Sequence, residues 1–264
     1  MADPNITYAL DGQVALIGLD RPAKRNALSD ALIEELRVAV ERAGREAKAG
    51  VIFGHGDHFS AGLDLAEHVH RTPIENVHHS RNWHAIFERI ERGVIPFVCA
   101  IRGAAVGGGI ELAASCQIRV AEEGAFFALP EGQRGIFVGG GGSVRIARLI
   151  SAARMSDMML TGRVLSAAEA ERVNLVQYVV APGAGLAKAK ELAARIAGNS
   201  PMANFAVTHA LSRIQDLSHD DGLFFESLMA AMTQTTPEAI ERLQAFLDKR
   251  AERIAAPGDP SGKP

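Results

Sequence analysis

Residues 96 to 101, Pro-Phe-Val-Cys-Ala-Ile, form an unbroken apolar run of strand length. It leads through Arg102-Gly103 into the triple glycine Gly107-Gly108-Gly109 and then into a helix-like segment from Ile110 to Ala114. Strand, turn and helix in so short a space mark a chain that alternates the two kinds of element. The rest of the first two thirds agrees. Ile6 to Asp20 reads as two alternating strands around the hairpin signal Asp11-Gly12. A helix follows, with Ser29 and Asp30 suited to its N-cap and first turn and Leu32, Leu36, Ala39, Val40 and Ala43 at helical spacing. A short strand from Val51 to Gly54 precedes a second helix whose Trp83, Ile86, Phe87, Ile90 and Val94 share one face, with Gly93 at its end. Further strands fit Ile118 to Ala121, Ala125 to Leu129 and Leu175 to Val180, and almost everything after Lys188 has helical periodicity.

The order predicts an α/β fold with a catalytic core over residues 1–183 and a helical region over 184–254. The segment 255–264, rich in Pro, Gly and Ser, is expected to be disordered. With 47% apolar and 22% charged residues the composition is that of a globular chain with a sizeable core. A net charge of −3 gives no electrostatic reason to expect nucleic acid or an anionic membrane as partner. No apolar run is long enough to span a bilayer, and the opening Met-Ala-Asp-Pro-Asn has neither the basic nor the apolar region of a secretory signal. Two cysteines, Cys99 and Cys116, make no disulfide framework, so the expected location is the reducing cytoplasm.

Two turns that contain glycine follow apolar strands: His58-Phe59-Ser60-Ala61-Gly62-Leu63-Asp64 and Gly103-Ala104-Ala105-Val106-Gly107-Gly108-Gly109-Ile110-Glu111. Small residues there let a ligand approach the backbone. N–H groups at a helix start carry partial positive charge, so two such turns face to face would stabilise an oxyanion. The same glycines would equally serve a tight turn or close packing. Neither Gly103 to Gly109 nor Gly139-Gly140-Gly141-Gly142-Ser143 has the spacing or the lysine of a nucleotide-phosphate loop. Glu111 stands in an otherwise apolar helix and Glu131 follows Pro130 after an apolar segment. Burial would raise either carboxyl toward the range useful for proton transfer, although each would also fit as a satisfied structural group.

With these residues in view, the chain resembles the crotonase, or enoyl-CoA hydratase/isomerase, superfamily from about Val14 to Arg250. The matching pieces are Leu19-Asp20-Arg21-Pro22-Ala23-Lys24-Arg25-Asn26-Ala27-Leu28-Ser29, Phe59-Ser60-Ala61-Gly62-Leu63-Asp64-Leu65, Gly103 to Ala113, and Leu129-Pro130-Glu131. Four motifs in order make a specific match. The resemblance implies a ββα spiral core with a helical C-terminal trimerisation region, and a homotrimer or dimer of trimers. It implies an acyl-CoA substrate, with coenzyme A as part of that substrate and no separate cofactor. It also implies that the backbone N–H groups of Leu63 and Gly108 form the oxyanion hole. Lys24, Arg25, Ala27 and Ala61 match positions beside the CoA, and Phe246 and Lys249 match C-terminal residues that reach it. Trp83, His84, Phe137 and Val138 fall where relatives build the acyl pocket.

Within the family, both glutamates together resemble the hydratases, which add water to a trans-2-enoyl-CoA and give a 3-hydroxyacyl-CoA. On that likeness Glu111 activates the water and Glu131 donates the proton. An isomerase using Glu131 alone, and a hydratase-lyase for hydroxycinnamoyl-type thioesters, are the alternatives. The chain's only tyrosines, Tyr8 and Tyr178, lie outside the C-terminal helices where such lyases place one. A non-catalytic CoA- or RNA-binding relative would leave the paired carboxylates without a purpose. One departure is the loop Gly135-Ile136-Phe137-Val138-Gly139-Gly140-Gly141-Gly142, which lacks the family's usual proline. Seven histidines crowd between His55 and His84, but no His-Glu-x-x-His motif accompanies them, and no metal is expected.

Overall fold

The computed structural model describes residues 4–67, 71–248 and 250. Strands β1 (Ile6–Asp11) and β2 (Val14–Leu19) form the expected hairpin, but Asp11 pairs with Val14, so the turn is Gly12-Gln13, one residue later than the sequence suggested. Gly12 takes the positive φ of +59° that the turn requires. Helix α1 (Asp30–Glu46) starts where expected: the Ser29 Oγ accepts a hydrogen bond from the Leu32 N–H at 3.2 Å. Strand β3 (Ala49–Gly54) leads to α2 (Pro73–Glu91), which opens with a capping box between Thr72 and Glu75. The helix ends before Val94, which is therefore exposed and not on the buried face. A Cβ on Gly93 would lie 1.9 Å from the Arg89 carbonyl oxygen, so only glycine lets the chain fold back on the last turn there.

Next come β4 (Phe97–Ile101), β5 (Ala104–Val106), α3 (Gly108–Ser115), β6 (Ile118–Glu122) and β7 (Phe126–Ala128). They are followed by α4 (Gly142–Ile150), α5 (Ala152–Thr161), β8 (Val164–Ser166), α6 (Ala167–Arg172), β9 (Tyr178–Val180) and α7 (Gly185–Ala197). A six-stranded sheet runs in the order β1-β2-β3-β4-β6-β9, parallel from β2 onward, and a smaller sheet runs β5-β7-β8. The three-residue strands β5 and β8 were not foreseen, because they are too short to show a period.

Strand alternation divides the core in two. On β4, Phe97, Cys99 and Ile101 point toward α1, α2 and α3, whereas Val98 and Ala100 point to the opposite face. There they join Val14, Ala49, Val51 and Val120 under Ala189, Leu192, Ala193 and Ala197 of α7. The expected boundary at residue 184 moves accordingly: covering the outer face of the sheet ties α7 to the core, and the first compact unit runs to Gly198.

The second unit starts at Asn199 and contains α8 (Pro201–Ala206), a π-helical segment Val207–Leu211, α9 (Ser212–Ile214), α10 (His219–Gln234) and α11 (Pro237–Leu247). Thr236 caps α11, and Ile240, Leu243, Phe246 and Leu247 are exposed along it. The tail 255–264 lies outside the described residues. None of the helices in the described residues is long and apolar enough to cross a membrane.

Candidate active site

The first Gly-containing turn is held by side chains that the sequence did not flag. Asn26 is fully buried at φ +54°. Its Oδ1 accepts from the Arg21 N–H at 2.8 Å, and its Nδ2 donates to the carbonyls of His55 and His58 at 2.9 and 2.7 Å. The Ser60 hydroxyl donates to the Asn26 carbonyl at 2.8 Å and accepts from the Gly62 N–H at 3.1 Å. The backbone of Leu28 bridges the same turn, accepting from Asp64 N–H and donating to the Gly62 carbonyl. This pairing leaves the Leu63 N–H pointing away, with no protein acceptor among the described residues.

The second turn joins β5 to α3. Gly107, at φ +51°, donates to the Ala128 carbonyl at 2.9 Å, and α3 begins at Gly108. The Gly108 N–H therefore belongs to the first turn of a helix, where the helix itself supplies no acceptor. None is found among the described residues. The two turns are in contact. A Cβ on Gly62 would lie 3.2 Å from the Gly108 nitrogen, and a Cβ on Gly108 would lie 3.4 Å from the Leu63 nitrogen. Two unpaired backbone donors thus stand side by side, one carrying the positive end of a helix.

Both carboxylates line the same cavity of about 460 Å³ as Leu63 and Gly108. Glu111, on α3 and 3% exposed, accepts hydrogen bonds at Oε1 from Gly140 and Gly142 N–H, each at 2.8 Å. Burial nevertheless pushes its pKa above the ordinary 4.5, with those backbone donors opposing the rise. Two glycines of the loop are required by this packing: a Cβ on Gly142 would meet Glu111 Oε1 at 2.9 Å, and one on Gly140 would meet the Phe87 ring at 2.9 Å. Arg145 fixes the loop from outside, donating to the Gly140 carbonyl at 3.1 Å while paired with Glu91 at 2.7 Å.

Glu131 is 7% exposed and its Oε2 is shielded, with no partner among the described residues. Burial, and then the nearby Glu111 charge, push its carboxyl up to about 7.

Of the expected pocket residues, Trp83, Phe137 and Val138 line the cavity, as does Ala61. Trp83 packs its Cζ3 3.0 Å from where a Cβ of Gly108 would sit. His84 does not line the cavity. One residue further along α2 is a rotation of about 100°, which turns it toward Gly141 and the Ser80 hydroxyl at 3.3 Å. Lys24 and Arg25 are exposed beside the site, where the Arg25 carbonyl, at φ +50°, accepts from the Ala61 N–H at 2.9 Å. Ala27 is half-buried, and its carbonyl accepts from Arg21, which also pairs with Asp64 at 3.0 Å. Phe246 belongs to the second unit and is exposed there, and Lys249 lies outside the described residues.

The histidines disperse. His55 bonds Thr7 at 2.8 Å, His58 accepts from the Ala104 N–H at 3.1 Å and His79 pairs with Asp30 at 2.9 Å. His68 and His70 lie outside the described residues. No group of three or more potential metal ligands occurs among the described residues.

Two unpaired backbone donors and two buried carboxylates around one cavity make a site suited to holding an oxyanion while a proton moves. The chain belongs to the enoyl-CoA hydratase/isomerase family, whose model matches residues 10–254. It is 32% identical to the short-chain-enoyl-CoA hydratase of Clostridium acetobutylicum over 93% of this chain and 95% of that one. To the 2,3-dehydroadipyl-CoA hydratase of Escherichia coli it is 34% identical, over 90% and 93%. A solved structure from Rhodopseudomonas palustris CGA009, provisionally named an enoyl-CoA hydratase, superposes with a TM-score of 0.91 at 50% identity over 95% of this chain and 97% of that one. The protein is thus an enzyme of the hydratase/isomerase type that takes an acyl-CoA.

Proposed function

We propose that the enzyme adds water reversibly across the C2–C3 double bond of a trans-2-enoyl-CoA. One observation carries the reading: two carboxylates in different protonation environments share one cavity with the paired donors of Leu63 and Gly108. The thioester oxygen sits between the two N–H groups, and negative charge moves onto it as water bonds to C3. Glu111, its Oε1 held by two N–H groups, takes the proton of that water through its other oxygen. Glu131 gives its proton to C2, the two carboxyls exchange protonation states, and solvent restores them. The CoA lies along Lys24, Arg25, Ala27 and Ala61.

Incubation with short, long and aromatic trans-2-enoyl-CoAs, followed by loss of the conjugated thioester absorbance, tests the activity. Conversion of a 3-enoyl-CoA with no hydration of any 2-enoyl-CoA would make the enzyme an isomerase. In the hydration direction Glu131 must be protonated and Glu111 ionised. The rate is therefore expected to fall as pH rises through about 7, and to fall on the acid side above the usual carboxylate range. A pH–rate profile flat from 6 to 9 would remove Glu131 as the proton donor. The apolar stripe of α11 favours self-association through the C-terminal helices. Mass photometry should then give three or six times the 28.1 kDa of one chain, and a monomer would refute this.

A further inference from the structure

The two N–H groups that hold Glu111 Oε1 are secured differently. A peptide unit is planar, and in its trans form the C=O of one residue points opposite to the N–H of the next. Whatever binds a carbonyl therefore also aims the N–H that follows it. The Gly142 N–H shares its peptide with the Gly141 carbonyl, which accepts from the Val144 and Arg145 N–H groups at 3.2 and 3.0 Å in the first turn of α4. A helix start thus fixes that donor. The Gly140 N–H shares its peptide with the Gly139 carbonyl, which accepts from no backbone N–H among the described residues. Neither Gly139 nor Gly140 has a Cβ to restrict rotation of that peptide.

Side chains of α2 take over there. Ser80, Trp83, His84 and Phe87 stand at i, i+3, i+4 and i+7, one stripe of the helix. The Ser80 hydroxyl donates to the Gly139 carbonyl at 2.6 Å. Trp83 and Phe87 wall in Gly140, with ring atoms 3.2 and 2.9 Å from where its Cβ would be. A hydroxyl has one proton, and that of Ser80 is committed to Gly139. Its oxygen can therefore only accept from His84 Nε2, 3.3 Å away, so that nitrogen carries a hydrogen. Burial, and then the Arg145 and Arg81 charges, push the His84 ring below its ordinary 6.5 and favour its neutral form.

Resting on the hydration reading, we infer that Ser80, backed by His84, is a positioning residue for Glu111: it locks the Gly139–Gly140 peptide so that the Gly140 N–H stays on the carboxylate. A donor to the ionised form lowers a carboxyl pKa. Burial lifts Glu111, and the Gly142, Gly140 and Gly139 N–H groups oppose the lift, with Arg145 of α4 the facing cation and Glu131 the facing carboxyl. Releasing the Gly140 peptide leaves Glu111 protonated up to a higher pH, where it takes no proton from water.

The test compares the full chain with Ser80→Ala and Ser80→Thr. Carbon-13 NMR of glutamate-labelled protein, with the Glu111 resonance assigned from Glu111→Gln, reads the carboxyl directly. In Ser80→Ala its titration midpoint is expected to rise, and the acid limb of the kcat profile for enoyl-CoA hydration should rise with it. On that limb kcat should fall roughly three- to tenfold, the worth of one hydrogen bond, with KM little changed. Ser80→Thr keeps a hydroxyl and should titrate as the parent does. An unmoved Glu111 midpoint, or a loss confined to KM, would reduce Ser80 to a wall of the cavity and overturn the inference. A Ser80→Thr as altered as Ser80→Ala would overturn the role of the hydroxyl. The NMR arm separates this from the parent reading: a raised midpoint in Ser80→Ala without any hydration by the parent would sink the hydratase and leave the lock, and hydration with an unmoved midpoint would do the reverse.

Discussion

Glu131→Gln is expected to lower kcat for enoyl-CoA hydration by roughly 10²- to 10⁴-fold, the usual worth of a positioned proton donor. KM should change little, because in the proposed mechanism the thioester oxygen is held by backbone N–H groups that the substitution does not touch. The same variant should fold better at alkaline pH. The folded carboxyl is raised from 4.5 to about 7, so the native state binds the proton more tightly than the unfolded chain does. Stability from this group is present below pH 4.5 and is lost as pH rises through 7. By pH 8 the loss amounts to about 2–3 kcal/mol, allowing for partial screening by solvent. Glutamine does not ionise, so the variant should show a higher Tm than the parent at pH 8 and a smaller difference at pH 5. A variant that is inactive and also less stable at pH 8 would mean that Glu131 is a structural group.

The second large effect is expected from a residue with no side chain. Gly62 sits at φ +86°, and a Cβ there would lie 2.5 Å from the Val106 carbonyl oxygen, a backbone atom that cannot swing aside. Gly62→Ala therefore shifts the turn that presents the Leu63 N–H. Losing one oxyanion donor costs about 2.7–4 kcal/mol of transition-state stabilisation, or roughly 10²- to 10³-fold in kcat. Circular dichroism should show the fold retained, since Asn26 and Ser60 still pin the loop. Full activity in a folded Gly62→Ala would mean that the Leu63 N–H is not a donor to the substrate.

The sequence exposed what depends on local pattern. The α1 cap at Ser29, the buried stripe of α2 and the glutamates in apolar surroundings all follow from spacing within a dozen residues. What it hid depends on partners far along the chain. The Gly139-Gly142 run showed in the sequence only that it lacks the lysine of a phosphate loop, yet its backbone N–H groups hold the Glu111 carboxylate from 29 and 31 residues away. Asn26 gave no periodic signal, because its three hydrogen bonds serve loops and no regular element. The position of α7 was misjudged for a related reason. Its helical pattern was plain, but only the apolar outer face of the sheet shows where that helix belongs.

The division of labour between main chain and side chains around this cavity bears on how such an enzyme acquires new substrates. The two donors at Leu63 and Gly108 are peptide groups, and no replacement of the Leu63 side chain deletes its N–H. Other walls of the cavity are side chains of α2 and of the loop around Phe137. Mutational drift can rewrite those walls one codon at a time while the chemistry survives each step. A library randomised at Asn76, Arg81, Arg134 and Phe137 should accordingly retain far more active members than one of equal size spanning Gly62, Gly107 and Gly142.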